Sequence, residues 1–348
     1  MSIGVSVRTT KYVAHNSSIW VRQESNPQSP TTYSSVRYRA FKKDEQMKRI
    51  IFVILILFPF LTVYSIKPDR RYRFYPEKLG LIYKEIKVVT PDGLKIKTWF
   101  YPAQDSLTQT ERENAWNNPR IKPYQTIDEQ KRPTIIICNG DASNMSWQQY
   151  YMVMAYTAKG YNVATFDWRG FGESDEWEMN TDYLVYTELL IDYNSVIEEI
   201  IKQPEVISNR IALIGWSTGA YLSMAAASKR PEVKCFVGQA LMTSFKEVIP
   251  TLRKIEKFKE KILIVPSDYP EELNPIELAP KFDKSTFLIV GEKDDRTPVW
   301  MSKKIIEKMK GDTELWIVPE AVHGGPDGPT KNFNLYNQKI LEFMDKYL

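Results

Sequence analysis

Cysteine and histidine are both scarce, with two of each in 348 residues. Cys138 and Cys235 are flanked by apolar, strand-like residues and read as buried packing positions. In the fold expected below, a further strand separates them by roughly 9–10 Å, beyond the reach of a disulfide. No cluster with metal-ligand spacing is visible, and no internal repeat. His15 sits in a polar N-terminal stretch, so His323 is the one candidate general base in the structured part. Charge is unevenly spread. Residues 1–80 carry 14 Lys/Arg against 5 Asp/Glu, and the remainder carries 33 against 38. A mildly acidic main body argues against a nucleic-acid surface.

Residues 1–46 are polar and aperiodic and read as a disordered tail. Met47-Lys48-Arg49 then precedes the apolar run Ile50–Leu61, the n- and h-regions of a secretory signal. Met47 is the expected initiator, which would leave residues 1–46 upstream of the translated chain. The uncharged span Ile50–Ile66 lies at the short end of the roughly 17–25 residues that cross a bilayer. The dense basic flanks favour export or an N-terminal membrane anchor over a buried core helix, with membrane association through residues 50–66. The expected organisation is a tail (1–46), a signal peptide or anchor (47–66), a basic linker (67–79) and one catalytic domain (80–348).

From residue 80 the pattern alternates. Leu81–Val89 and Leu94–Tyr101 are strand-like and joined through Pro91-Asp92-Gly93, predicting an antiparallel hairpin. Residues 102–132 read as a polar excursion. Thr134–Cys138 is a β-branched run of the kind buried on both faces of a sheet. Helix near Trp147–Lys159, strand Asn162–Phe166, helix near Asp182–Lys202, strand Arg210–Ile214, helix Thr218–Lys229 and strand Val233–Gln239 follow. After a segment at 241–285 come strand Thr286–Val290, helix Val299–Lys310, strand Glu314–Val318 and helix Asn332–Tyr347. A hairpin feeding β-α units predicts a mostly parallel eight-stranded α/β sheet with helices on both faces.

The chemistry concentrates at strand ends. Gly215-Trp216-Ser217-Thr218-Gly219 is a G-x-S-x-G pentapeptide with a strand before it and a helix after it. A serine hydroxyl is a weak nucleophile until a base takes its proton, and the flanking glycines suit a sharp turn where a Cβ would clash. His323, in a Gly-rich turn after the last strand, is positioned to be that base. Asp294 ends Gly291-Glu292-Lys293-Asp294 at a strand's C-terminal edge and is the preferred acid to orient the imidazole, with Asp295 the alternative. Two backbone N–H groups are needed for an oxyanion: Thr218 after the nucleophile, and Asp141 in the loop Asn139-Gly140-Asp141-Ala142-Ser143-Asn144. Trp147, Trp168, Trp177 and Trp216 fall in or beside loops at the expected site rim.

These motifs, with Asp167-Trp168-Arg169-Gly170-Phe171-Gly172-Glu173-Ser174, Asn274-Pro275-Ile276-Glu277 and His323-Gly324, resemble the α/β-hydrolases, most of all the serine aminopeptidase-like and Bem46-like branch. The likeness covers residues 80–348. It departs at Asn139, where the branch usually has His. The resemblance implies an α/β-hydrolase fold with a short cap at about 241–285. It also implies cleavage of an ester, thioester or peptide bond in a small acyl substrate through an acyl-enzyme, with no metal or organic cofactor. A peptidase or acyltransferase on the same triad, or a silent envelope binding protein, are the alternatives.

Overall fold

A computed structural model describes residues 65–104, 126–147 and 149–348. They form an eight-stranded sheet in the order β1-β2-β4-β3-β5-β6-β7-β8. The strands are β1 (Lys84–Val89), β2 (Lys95–Tyr101), β3 (Arg132–Ile137), β4 (Asn162–Phe166), β5 (Val206–Trp216), β6 (Val233–Gln239), β7 (Ser285–Gly291) and β8 (Thr313–Val318). The hairpin β1–β2 and the pair β2–β4 are antiparallel, and every other pairing is parallel. The expected mostly parallel α/β sheet is therefore present.

Alternation along the central strands builds two cores. Ile136 and Cys138 join Leu213 and Ile211 on one face, under α2 (Leu189–Ile200), α3 (Thr218–Ser228) and α7 (Val299–Ile306). Ile135 and Ile137 join Ala212 and Ile214 on the other, under α1 (Gln149–Thr157) and α8 (Phe333–Tyr347). Such two-sided burial is why these strands read as unbroken apolar runs. Cys138 and Cys235 are both free and buried, and they pack into opposite cores with β5 between their strands.

Three differences from the sequence reading have local causes. The helix expected from Asp182 begins only at Leu189. The backbone before it is committed elsewhere: Leu184 N–H donates to Ile264 C=O at 2.8 Å, and Ile264 N–H returns to Asp182 C=O at 2.9 Å. Strand β5 starts four residues early, at Val206, because Arg132 on β3 pairs with it there. The stretch expected as a linker, 67–79, packs on the domain, where Lys67 N–H bonds Asp141 C=O and Pro76–Leu79 forms a short 3-10 turn with Leu79 buried; Ile66 just before it, expected at the end of the anchor, is fully buried.

The segment between β6 and β7 holds three short helices: α4 (Phe245–Leu252), α5 (Glu256–Lys259) and α6 (Pro275–Leu278). All described residues belong to one compact unit. The tail, the apolar run at 50–61 and most of the polar excursion lie outside the described residues. Among the described residues, no helix is long and apolar enough to cross a membrane.

Candidate active site

Ser217 stands between β5 and α3 with φ 52° and ψ −124°, a conformation non-glycine residues rarely adopt. Such strain costs about 1–3 kcal/mol and persists only where the surroundings enforce it. Here the Ser217 N–H is tied to Gln239 C=O at 2.9 Å. Both glycines of the pentapeptide are sterically required. A Cβ on Gly215 would lie 2.4 Å from Gly219 C=O, and one on Gly219 would lie 1.8 Å from Asn139 C=O. The turn thus presents the hydroxyl at the C-terminal edge of the sheet, at the positive end of α3.

His323 lies beyond β8 with its Nε2 3.1 Å from Ser217 Oγ. Its Nδ1 is 3.0 Å from each carboxylate oxygen of Asp294. A carboxylate can only accept, so Nδ1 carries the proton and Nε2 is left to accept from the serine hydroxyl. The Asp294 side chain is fully buried and that of His323 is 12% exposed, whereas Asp295 is exposed. Burial alone would raise the Asp294 pKa. The His323 hydrogen bond and charge, with donors from Thr297, hold it below the usual carboxylate value instead.

Those donors went unrecognised in the sequence. Thr297 gives its hydroxyl to Asp294 Oδ2 at 2.8 Å and its N–H to Oδ1 at 2.9 Å, and Arg296 N–H also reaches Oδ1 at 2.9 Å. An Asp followed three residues on by Thr after a strand end was the available signal, a local side-chain-to-backbone turn.

The loop after β3 faces the serine. No acceptor for the N–H of Asp141 or of Thr218 is found among the described residues, which leaves both donors unengaged at the cavity that Ser217 lines. Gly140 is needed because a Cβ there would meet the Trp216 ring at 2.7 Å. Asn139, at the position where the resembled branch carries His, is buried and faces away from substrate. Its Nδ2 donates to Asp167 Oδ1 at 3.2 Å while Gln149 donates to its Oδ1. Asp167 also accepts from Met145 N–H at 2.7 Å and Tyr72 Oη at 2.5 Å. Burial pushes the Asp167 carboxyl up to about 7 despite those donors. Residues 65–73 strap the same loop from outside. Lys67 N–H donates to Asp141 C=O at 2.7 Å, and Asn144 Nδ2 bonds Asp69 C=O and Arg71 C=O at 2.9 Å each.

The Asp-x-Arg-Gly motif serves structure. Arg169 is 1% exposed and pairs with buried Asp192 at 2.7 Å and with Asp92 at 2.7 Å. Of the four tryptophans, Trp147 and Trp216 line the cavity beside Ser217, while Trp168 is fully buried. That cavity, about 240 Å³, also includes Asp141, Gln239, Arg296 and His323. No residue of the segment 241–285 lines it.

A parallel sheet carrying a strained serine turn, with histidine and carboxylate delivered from the loops after β8 and β7, defines an α/β-hydrolase. Residues 143–348 match the sequence profile of the prolyl oligopeptidase family. The chain belongs to that family. Among its relatives, Bacillus subtilis YqkD is 26% identical over 65% of this chain and 75% of its own length. Bem46 of Schizosaccharomyces pombe is 26% identical over 37% of this chain and 41% of its own. A Pyrococcus furiosus esterase shares the fold, with a TM-score of 0.60 at 21% identity over 82% of this chain and 99% of that one.

Proposed function

We propose that this hydrolase cleaves an ester of a small acyl substrate, with Ser217 as nucleophile, His323 as general base and acid, and Asp294 as the orienting carboxylate. The observation that carries the reading is the continuous relay from Ser217 Oγ through the His323 ring to Asp294, at 3.1 and 3.0 Å. In this scheme Oγ attacks the carbonyl carbon as its proton passes to Nε2, and the oxyanion turns to the N–H groups of Asp141 and Thr218. The tetrahedral species collapses, the leaving oxygen takes the proton from Nε2, and the acyl group stays on Oγ. Water then repeats the sequence and frees the acid. A cavity of about 240 Å³ falls below the roughly 300–1,000 Å³ of drug-sized ligand sites, which favours a short acyl chain.

The family match favours a second reading, a peptidase using the same three side chains. Parallel assays on p-nitrophenyl esters of graded length and on aminoacyl p-nitroanilides decide between them. Ester turnover that falls as the acyl chain lengthens is expected. Faster anilide cleavage would establish the peptidase, and no turnover of either class would contradict both. We further propose that the apolar run within residues 50–66, ahead of the buried Ile66, exports the domain or anchors it at a membrane. Fractionation of the native protein should find it outside the cytosol.

A further inference from the structure

We infer that Arg296, backed by Lys261, forms an anion subsite at the rim of the Ser217 cavity, so that the acyl substrate carries a carboxylate near the scissile bond. This rests on the serine-hydrolase reading and narrows its substrate class. Arg296 follows Asp294 by two residues and lines the same cavity as Ser217 and His323. Its backbone N–H serves the triad acid, but among the described residues its guanidinium makes no hydrogen bond and no ion pair. The Nε is buried and unpartnered. Its Cζ sits 5.4 Å from the centre of the Phe258 ring.

Two more cations crowd that ring. Lys261 Nζ lies 5.7 Å and Lys257 Nζ 5.4 Å from its centre, both from the segment between β6 and β7. The Lys261 ammonium is also buried without a hydrogen-bond partner. Burial lowers its pKa to about 8, with Arg296 adding to the effect and Asp141 and Asp182 opposing it. Buried cations without hydrogen-bond partners are costly. A ligand carboxylate would satisfy the guanidinium's planar fork and relieve its repulsion with Lys261. The opposing charge in the cavity is Asp141, half-buried, whose carboxyl burial shifts upward against the pull of His323, Arg296 and Lys261.

The test compares matched esters by pH-stat on the whole protein. Monomethyl glutarate against methyl pentanoate places the anion on the acyl side, and O-butyrylglycolate against its amide places it on the leaving side. Wild type is expected to prefer the anionic member of at least one pair in kcat/KM by about tenfold, the worth of one good charge-assisted contact. That preference should shrink in 0.5 M salt. Arg296→Gln should abolish the ratio, and Asp141→Asn should increase it. Cleavage of both pairs with no charge preference in wild type, or an unaltered ratio in Arg296→Gln, would overturn the subsite and leave the hydrolase reading standing. Failure to cleave any ester, with no fluorophosphonate adduct on Ser217, would remove both.

Discussion

Gly219→Ala is the change whose consequence follows most directly from the coordinates. The added methyl would sit 1.8 Å from the Asn139 carbonyl oxygen, whereas carbon–oxygen contacts settle above about 3.3 Å. Neither partner is a side chain that could rotate away, because one is backbone of the loop just after β3 and the other is the first turn of α3. Relief therefore requires the loop after β3 to move by about 1 Å or more, taking the Asp141 N–H with it. A displacement of that size costs on the order of 10² in rate, and loss of one oxyanion donor costs about 10²–10³ in kcat. The overpacking itself should lower stability by about 1–3 kcal/mol. The assay is kcat and KM on a short p-nitrophenyl ester beside a thermal melt. Gly311→Ala serves as the control, since the nearest atom to its Cβ would be 3.5 Å away in ordinary contact. A Gly219→Ala enzyme with kcat within threefold of wild type and an unshifted Tm would refute the steric reasoning.

Ser217→Ala and His323→Ala should each reduce kcat by about 10⁴-fold or more, with the double variant little worse, because the groups act as one unit. Asp294→Asn should lower kcat by about 10⁴ by favouring the wrong imidazole tautomer, checked on the same ester. Because the folded Asp294 carboxyl is held below its ordinary value, it contributes stability above the unfolded pKa of about 4. That contribution is lost as pH falls through the lower folded value. Urea unfolding across pH 2–5 should therefore show a shallower acid slope in Asp294→Asn. Asp192→Asn leaves a guanidinium that is 1% exposed with only Asp92 opposite; urea denaturation should show a loss of about 3 kcal/mol.

Much of this was legible because it depends on local chemistry. The β-branched run at 134–138 and the apolar run at 211–214 announce strands covered on both faces, and a serine between two glycines at a strand end admits few backbone solutions. The strand order, with β3 between β4 and β5, is set by crossovers that no window of sequence encodes. The late start of α2 has the same character, since Leu184 spends its N–H on Ile264, eighty residues away. Thr297 was within reach of sequence reasoning. Arg296 was not, because nothing in Asp-Asp-Arg-Thr-Pro distinguishes an arginine that lines the cavity from one wholly in solvent. The brace of Asn139, Asp167 and Tyr72 joins three distant segments, and only the fold brings them together.

Mass spectrometry of the protein after treatment with a fluorophosphonate tests the central claim most directly. A single adduct on the peptide carrying Ser217, nearly absent when His323 is replaced by alanine, is the expected result. An unlabelled Ser217 in folded wild-type protein, or equal labelling without His323, would contradict it.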